Sequence, residues 1–396
     1  MTRVPVDVQV EIDGRLLPVS GTFDPRFAPV VDAFIENYRV EEELGSAVSL
    51  VVGGETVVDV WGGWFDPSRE RPWERDTLVC MMSVAKGITA VAFNMLIDRG
   101  IVGLDTPVAE YWPEFAQNGK ADLPVRYLLD HRAGLPALTE PLWPGAMYDR
   151  EAMVFALARQ APLWEPGTVA AYHVHTQGYL LGEVMRRTTG KLIGEWVRDE
   201  IAGPLEADYW LGLPASEHYR VSSLVPNMGA KILAAQDAEP EDSLRRRAFA
   251  QNPPGTWGEM VNSREWREMD MSSGSGHGNA RAVARIYGSL ANGELDGVRL
   301  LSEAALDQMT TMQHDQIELL QDRHYRQGLG VLLNSPDAVY MGPNLAAFGH
   351  HGIGGSTGFA DRDAKLGFSY SVNQMHAVGT NGPRARRLID AAYSCL

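Results

Sequence analysis

The chain has 396 residues, 45% of them hydrophobic and 22% charged, with 40 glycines and 23 prolines. That is the profile of a compact, loop-rich globule with material for about two to three lobes of ordinary size. A formal net charge of −16 repels phosphate backbones and anionic membranes, which argues against nucleic-acid binding and favours neutral or cationic small molecules. Cys80 and Cys395 are too few for a disulfide framework or a thiolate metal site. The opening MTRVPVDVQVEIDGR lacks the apolar core of a secretory signal. No apolar run approaches the roughly 18 residues of a membrane span, so the expectation is a soluble, cytoplasmic protein without membrane contact.

In chain order, residues 24–43 read as an amphipathic helix started near Asp24. SAVSLVVGGETVVDVWGG (46–63) places β-branched runs on both sides of Gly53-Gly54, a β-hairpin pattern. An apolar helix follows from about Ser83 to Asp98, closed by Gly100. Residues from about 105 to 325 are mostly helical, interrupted by Pro/Gly loops. Within them, AEPEDSLRRR (238–247) reads as a loop or solvated face, and SSGSGHG (272–278) as a loop at a cleft mouth or a linker. Strand-like alternation returns at 328–334 and 365–373, and PRARRLIDAAY forms a final helix. The expected plan is α+β: an antiparallel sheet flanked by helices, built from 1–105 and 326–396, with a mostly helical lobe, 106–325, inserted between them. A cleft between two such lobes suits a small-molecule site.

The segment that carries chemistry is Ser83-Val84-Ala85-Lys86. Residues three apart on a helix share a face, so this spacing sets an ammonium beside a hydroxyl. Serine is a weak nucleophile until a neighbour takes its proton, and a desolvated lysine can do so. The competing reading makes Ser83 an N-cap and Lys86 a surface residue. The neighbours Val84, Ala85, Ile88, Ala90, Val91, Ala92, Phe93 and Met95 leave no polar face for it.

This segment resembles the S-x-x-K box of the class C β-lactamases, DD-peptidases and family VIII carboxylesterases. The likeness covers most of the chain, through a hairpin, the S-x-x-K helix, a helical lobe and returning strands. It implies a β-lactamase/DD-peptidase-like fold and a serine esterase working through an acyl-enzyme on Ser83, activated by Lys86. By the same resemblance Tyr172, in EPGTVAAYHV (165–174), stands where the family has its Y-x-N tyrosine and would relay the serine proton. A phenol near an ammonium is expected to have its pKa lowered. Val174 replaces the asparagine of penicillin-active relatives, which weakens the case for β-lactam hydrolysis. His350-His351-Gly352 stands where the family has K-T-G. It lacks the permanent cation that grips a carboxylate, so an uncharged ester is favoured. Family geometry would put the oxyanion hole at the N–H groups of Ser83 and Ile353, with Gly352 allowing close approach of the substrate carbonyl.

No cofactor and no metal are implied, and the partner is a small-molecule ester; oligomeric state is not legible. A β-lactamase, D-peptidase or amide hydrolase on the same fold, or an acyl-binding protein without turnover, remain as alternatives. Gly354-Gly355-Ser356-Thr357-Gly358 spells the nucleophile elbow of another hydrolase fold, with Asp361 and His376 as nominal triad partners. The His173-Val174-His175 pair lacks a third ligand at metal spacing. Trp143 and Trp164 are candidates for core or pocket wall.

Overall fold

A computed structural model describes residues 2–226, 239–240, 242–249, 257–376 and 380–396. Among these, ten strands form one antiparallel sheet in the order β1-β2-β4-β3-β14-β13-β12-β11-β10-β9. β1 (Val4–Ile12) and β2 (Arg15–Phe23) make an edge hairpin that the sequence reading did not anticipate. β3 (Gly45–Val52) and β4 (Glu55–Gly63) are the expected hairpin, turning on Gly53 and Gly54 with φ of 58° and 85°. β9 (His314–Glu318), β10 (Arg323–Gln327), β11 (Leu332–Leu333), β12 (Phe348–His351), β13 (Thr357–Asp361) and β14 (Leu366–Val372) complete it, and β14 pairs with β3. The N-terminal and C-terminal parts of the chain therefore meet at the middle of the sheet. A separate small sheet, in the order β6-β8-β5-β7, joins β5 (Leu78–Cys80), β6 (Tyr209–Trp210), β7 (Val221–Ser222) and β8 (His277–Gly278).

Helix α1 (Ala28–Val40) follows a short 3-10 turn whose cap is Asp24, accepting from the Arg26 N–H at 3.0 Å. α2 (Val84–Asp98) is the expected buried helix. α3 (Thr176–Thr189) and α4 (Ala280–Asn292) follow, and α5 (Gly382–Tyr393) is the predicted final helix. α1 and α5 share a core with Val48, Leu50, Phe359, Phe368 and Tyr370 on one sheet face. α2 and α4 share another with Ala47, Val51, Phe348 and Ala360 on the opposite face. The alternation along β3 and β14 explains the split. Even positions of β14 carry Leu366, Phe368, Tyr370 and Val372, while its odd positions are the small Gly367, Ser369 and Ser371. The small face admits α4 so closely that a Cβ on Gly367 would lie 2.3 Å from the Gly288 backbone nitrogen.

The sheet layer draws on more chain than 1–105 and 326–396. α4 covers its face, and β9 with most of β10 lies before residue 326. The strand expected at 328–334 pairs only at Leu332–Leu333. Gly330, at φ 83°, runs instead against α2, where a Cβ would meet the Ala90 Cβ at 2.6 Å, and the Leu329 carbonyl accepts from Asn94. AEPEDSLRRR falls partly outside the described residues; Leu244–Phe249 is a short helix. No helix among the described residues is long and apolar enough to cross a membrane.

Gly367→Ala tests the close helix–sheet contact. The methyl group meets backbone rather than a movable side chain, so overpacking should cost about 3 kcal/mol in denaturant unfolding. Unfolding free energy unchanged from wild type would contradict this packing.

Candidate active site

β5 ends at Cys80, and the chain turns into α2 through Met82, held at φ 50°. A non-glycine residue there is uncommon and costs strain; its effect is to put Ser83 at the first position before the helix. The Ser83 hydroxyl makes no capping bond to the helix amides, which removes the N-cap reading. It stands 3.5 Å from Lys86 Nζ, and its interaction with the Tyr172 hydroxyl pulls the phenol pKa downward.

Lys86 is only 2% exposed. Its Nζ donates to the carbonyls of Val174 at 2.8 Å and Ser273 at 2.7 Å, and it makes no ion pair among the described residues. Burial without a compensating carboxylate pushes its pKa well below the ordinary 10.5, with desolvation the cause. The Ser273 carbonyl comes from SSGSGHG, which connects two helices and is buried rather than an exposed mouth loop. Ser272, Ser273, Ser275 and His277 are buried, and the Ser272 carbonyl accepts from Thr89 at 2.7 Å. The run of small residues is what lets this strap lie along α2.

Tyr172 sits in an irregular segment before α3, with its ring 4.7 Å from Lys86 Nζ. Its pKa is raised well above 10, not lowered. Burial is the main cause and Tyr325 adds to it, outweighing the bond from Ser83. An amine that burial itself drives toward neutrality supplies little field to favour phenolate. The group is a protonated phenol.

On β12, His350 and His351 are buried and their rings stack with centroids 5.7 Å apart. His350 Nδ1 bonds the His351 carbonyl at 2.7 Å, and its ring centroid lies 6.2 Å from that of Tyr172. Desolvation, then His351 and Lys86, push its pKa well below 6.5, so it is a neutral imidazole. At Gly352 a Cβ would sit 2.2 Å from the Met81 carbonyl oxygen. The glycine lets the end of β12 press against the turn that carries Ser83. Among the described residues, the N–H groups of Ser83 and Ile353 donate to no protein acceptor.

With that geometry in place, comparison with known proteins is decisive. The family model described as Beta-lactamase matches residues 31–393. The chain belongs to the beta-lactamase family. It is 34% identical over 370 residues to the esterase/beta-lactamase LipL of Mycobacterium tuberculosis, covering 90% of this chain and 83% of that one. Esterase EstB of Burkholderia gladioli is 26% identical over 407 residues, covering 92% and 94%. The crystal structure of a family VIII carboxylesterase superposes with a TM-score of 0.88 at 40% identity, over 96% of this chain and all 100% of the other.

Within the beta-lactamase family frame, the rival constellations do not assemble. Ser356 leads into strand β13 rather than a helix, and its Oγ accepts from the Val372 N–H at 3.3 Å. Asp361 accepts from Asn344, Tyr393 and the amides of Asp363 and Ala364, while His376 bonds the Asn381 carbonyl. His173 bonds Leu135 N–H and the Ala171 carbonyl, whereas the His175 ring meets Trp266 edge-on. Trp143 is 55% exposed, and Trp164 packs against the cluster containing Tyr172 and Val174. The sequence reading missed the carbonyls that hold Lys86, because main-chain acceptors carry no residue signature. Only the density of serine and glycine at 272–278 pointed to a close backbone approach.

Gly352→Ala should lower the fold's thermal transition, since the methyl group meets the Met81 backbone, and should lower ester turnover per fluorophosphonate-titrated site at least about tenfold, because displacements on the order of 1 Å at a reacting centre are that costly. Wild-type turnover in this variant would contradict the role of the contact.

Proposed function

We propose that the protein is a carboxylesterase that hydrolyses small, uncharged esters through an acyl-enzyme on Ser83. The observation that carries this reading is the Lys86 amine, buried without a carboxylate partner and 3.5 Å from the Ser83 oxygen. A neutral amine has two hydrogens and one lone pair. The carbonyls of Val174 and Ser273 take the hydrogens, leaving the lone pair for the serine proton. The separation is long for a hydrogen bond, as catalytic contacts often are before substrate binds.

Ser83 Oγ loses its proton to Lys86 Nζ and bonds the ester carbonyl carbon. The carbonyl oxygen takes the negative charge and is stabilised by the N–H groups of Ser83 and Ile353. Collapse breaks the ester C–O bond; the departing alkoxide takes the proton of the Tyr172 hydroxyl, which Lys86 replaces. Water then gives a proton back along Tyr172 and Lys86, attacks the acyl carbon and returns Oγ to Ser83 as the hydroxyl. Atoms balance as ester plus water to acid plus alcohol. The esterase names carried by LipL and EstB, and the family VIII carboxylesterase structure, support this substrate class. Neutral His350 and apolar Val174 offer no cation or amide for a carboxylate or acylamino group, favouring uncharged esters over β-lactams. LipL's name also includes beta-lactamase, so β-lactam hydrolysis is the second reading.

A p-nitrophenyl ester series compared with a chromogenic cephalosporin separates the readings. Sustained ester turnover with little cephalosporin cleavage is expected; stoichiometric labelling without turnover would indicate an acyl-binding protein instead. Fluorophosphonate labelling and peptide mapping should mark Ser83, and Ser83→Ala should remove both labelling and activity. An active Ser83→Ala enzyme would overturn the mechanism.

The pH behaviour of Lys86 gives a further outcome. Its folded pKa lies below 10.5, so between those values the unfolded chain binds more protons and stability rises with pH. Activity requires the neutral amine, so kcat/KM should fall only as pH drops through the depressed value. Lys86→Met should abolish turnover and flatten this contribution to stability between the depressed value and 10.5; a variant with the wild-type pH dependence of stability would contradict it.

A further inference from the structure

Tyr172 lies in a segment with no regular secondary structure, so neither a helix nor a strand ladder fixes where its hydroxyl meets Ser83. The three amides around it all donate outside their own segment. Ala171 N–H donates to the His131 carbonyl at 3.1 Å, and His173 N–H to His131 Nδ1 at 3.1 Å. The amide of Tyr172 itself donates to the Glu318 carboxylate at 2.8 Å. We propose that Glu318 is a positioning residue for acyl transfer, holding the Tyr172 main chain so that the phenol stays on Ser83. The inference rests on the esterase reading, in which Tyr172 relays the proton.

Glu318 is the last residue of β9 and is 2% exposed. Burying a carboxylate is costly unless hydrogen bonds compensate. Here the same carboxylate also accepts from Leu320 N–H at 3.1 Å and Gln321 N–H at 2.5 Å, and charge-assisted bonds of this type are the strong ones. A carboxylate that only capped the β9–β10 turn would need those two local amides alone. The third bond reaches a residue 146 positions away, and beside it Leu319 N–H donates to the Ala170 carbonyl at 3.0 Å. The end of β9 and the residue after it thus clip the tyrosine segment at two points. Burial raises the Glu318 pKa, while the three amide bonds oppose that rise. Neither the S-x-x-K nor the tyrosine box reveals this residue, since its partner is a main-chain amide.

The test is a double-mutant cycle of Glu318→Ala with Tyr172→Phe, plus Glu318→Gln. Fluorophosphonate titration to completion counts competent sites, so a variant that merely misfolds loses titre, not rate per site. Tyr172→Phe should lower kcat per site about 100-fold or more. Glu318→Ala should lower it about 10- to 100-fold with KM within about threefold. Glu318→Gln, whose amide oxygen still accepts from Tyr172, should lose less than Ala. In the Tyr172→Phe background, Glu318→Ala should change the rate by less than about threefold, because its effect passes through the phenol. An impaired Tyr172→Phe enzyme beside a Glu318→Ala enzyme of wild-type rate would overturn the positioning role alone. So would a Glu318→Ala loss that persists undiminished in the Tyr172→Phe background. A Tyr172→Phe enzyme of wild-type rate would overturn the relay reading beneath it.

Discussion

The site depends on one unfavourable burial: the Lys86 amine, enclosed beside Ser83 without a carboxylate to neutralise it. Water would hold the ammonium near its ordinary pKa, and an aspartate in contact would hold it higher still. The surrounding structure supplies neither. It offers two main-chain carbonyls, from Val174 and Ser273, which can satisfy amine hydrogens without contributing a negative charge. In the proposed mechanism, the distinction between a dipole and a charge is what leaves a buried lysine available as a base.

Each side of that enclosure comes from a distant part of the chain. The turn into α2 brings Ser83 and α2 brings Lys86, the strap at 272–278 runs behind them, and the segment before α3 brings Val174 and Tyr172. β12 brings the histidines and the Ile353 amide, with Gly352 allowing the strand end to meet the Met81 carbonyl. The sheet joins β3 to β14 at its centre and runs through β13 to β12, which packs against α2. Met82 in the left-handed region is the local strain required to turn the chain from β5 into the helix at that height.

The sequence was most legible where a local pattern and a burial demand agreed. An unbroken apolar surround for Lys86 foretold an enclosed amine, and Gly53-Gly54 between β-branched runs foretold the central hairpin. It was less legible where the partner is main chain. Ser273 and Glu318 act through a carbonyl and a carboxylate-to-amide bond, neither of which leaves a residue spacing to read. The first hairpin did have a signal, Asp13-Gly14 between alternating runs, with φ of 50° and 74° in the structure. The Tyr172 pKa was misjudged because proximity to an ammonium was weighed without the burial that both groups share.

The most direct measurement is the titration of Lys86 itself, followed by NMR in protein carrying 13C-labelled lysine, with its resonance assigned by loss in Lys86→Met. Exposed lysines provide the internal reference. The account predicts a Lys86 transition well below the ordinary lysine value, with the acid limb of ester turnover following the same curve. A transition at or above that value would leave an ammonium beside Ser83 at neutral pH, and the amine would have no lone pair with which to take the serine proton.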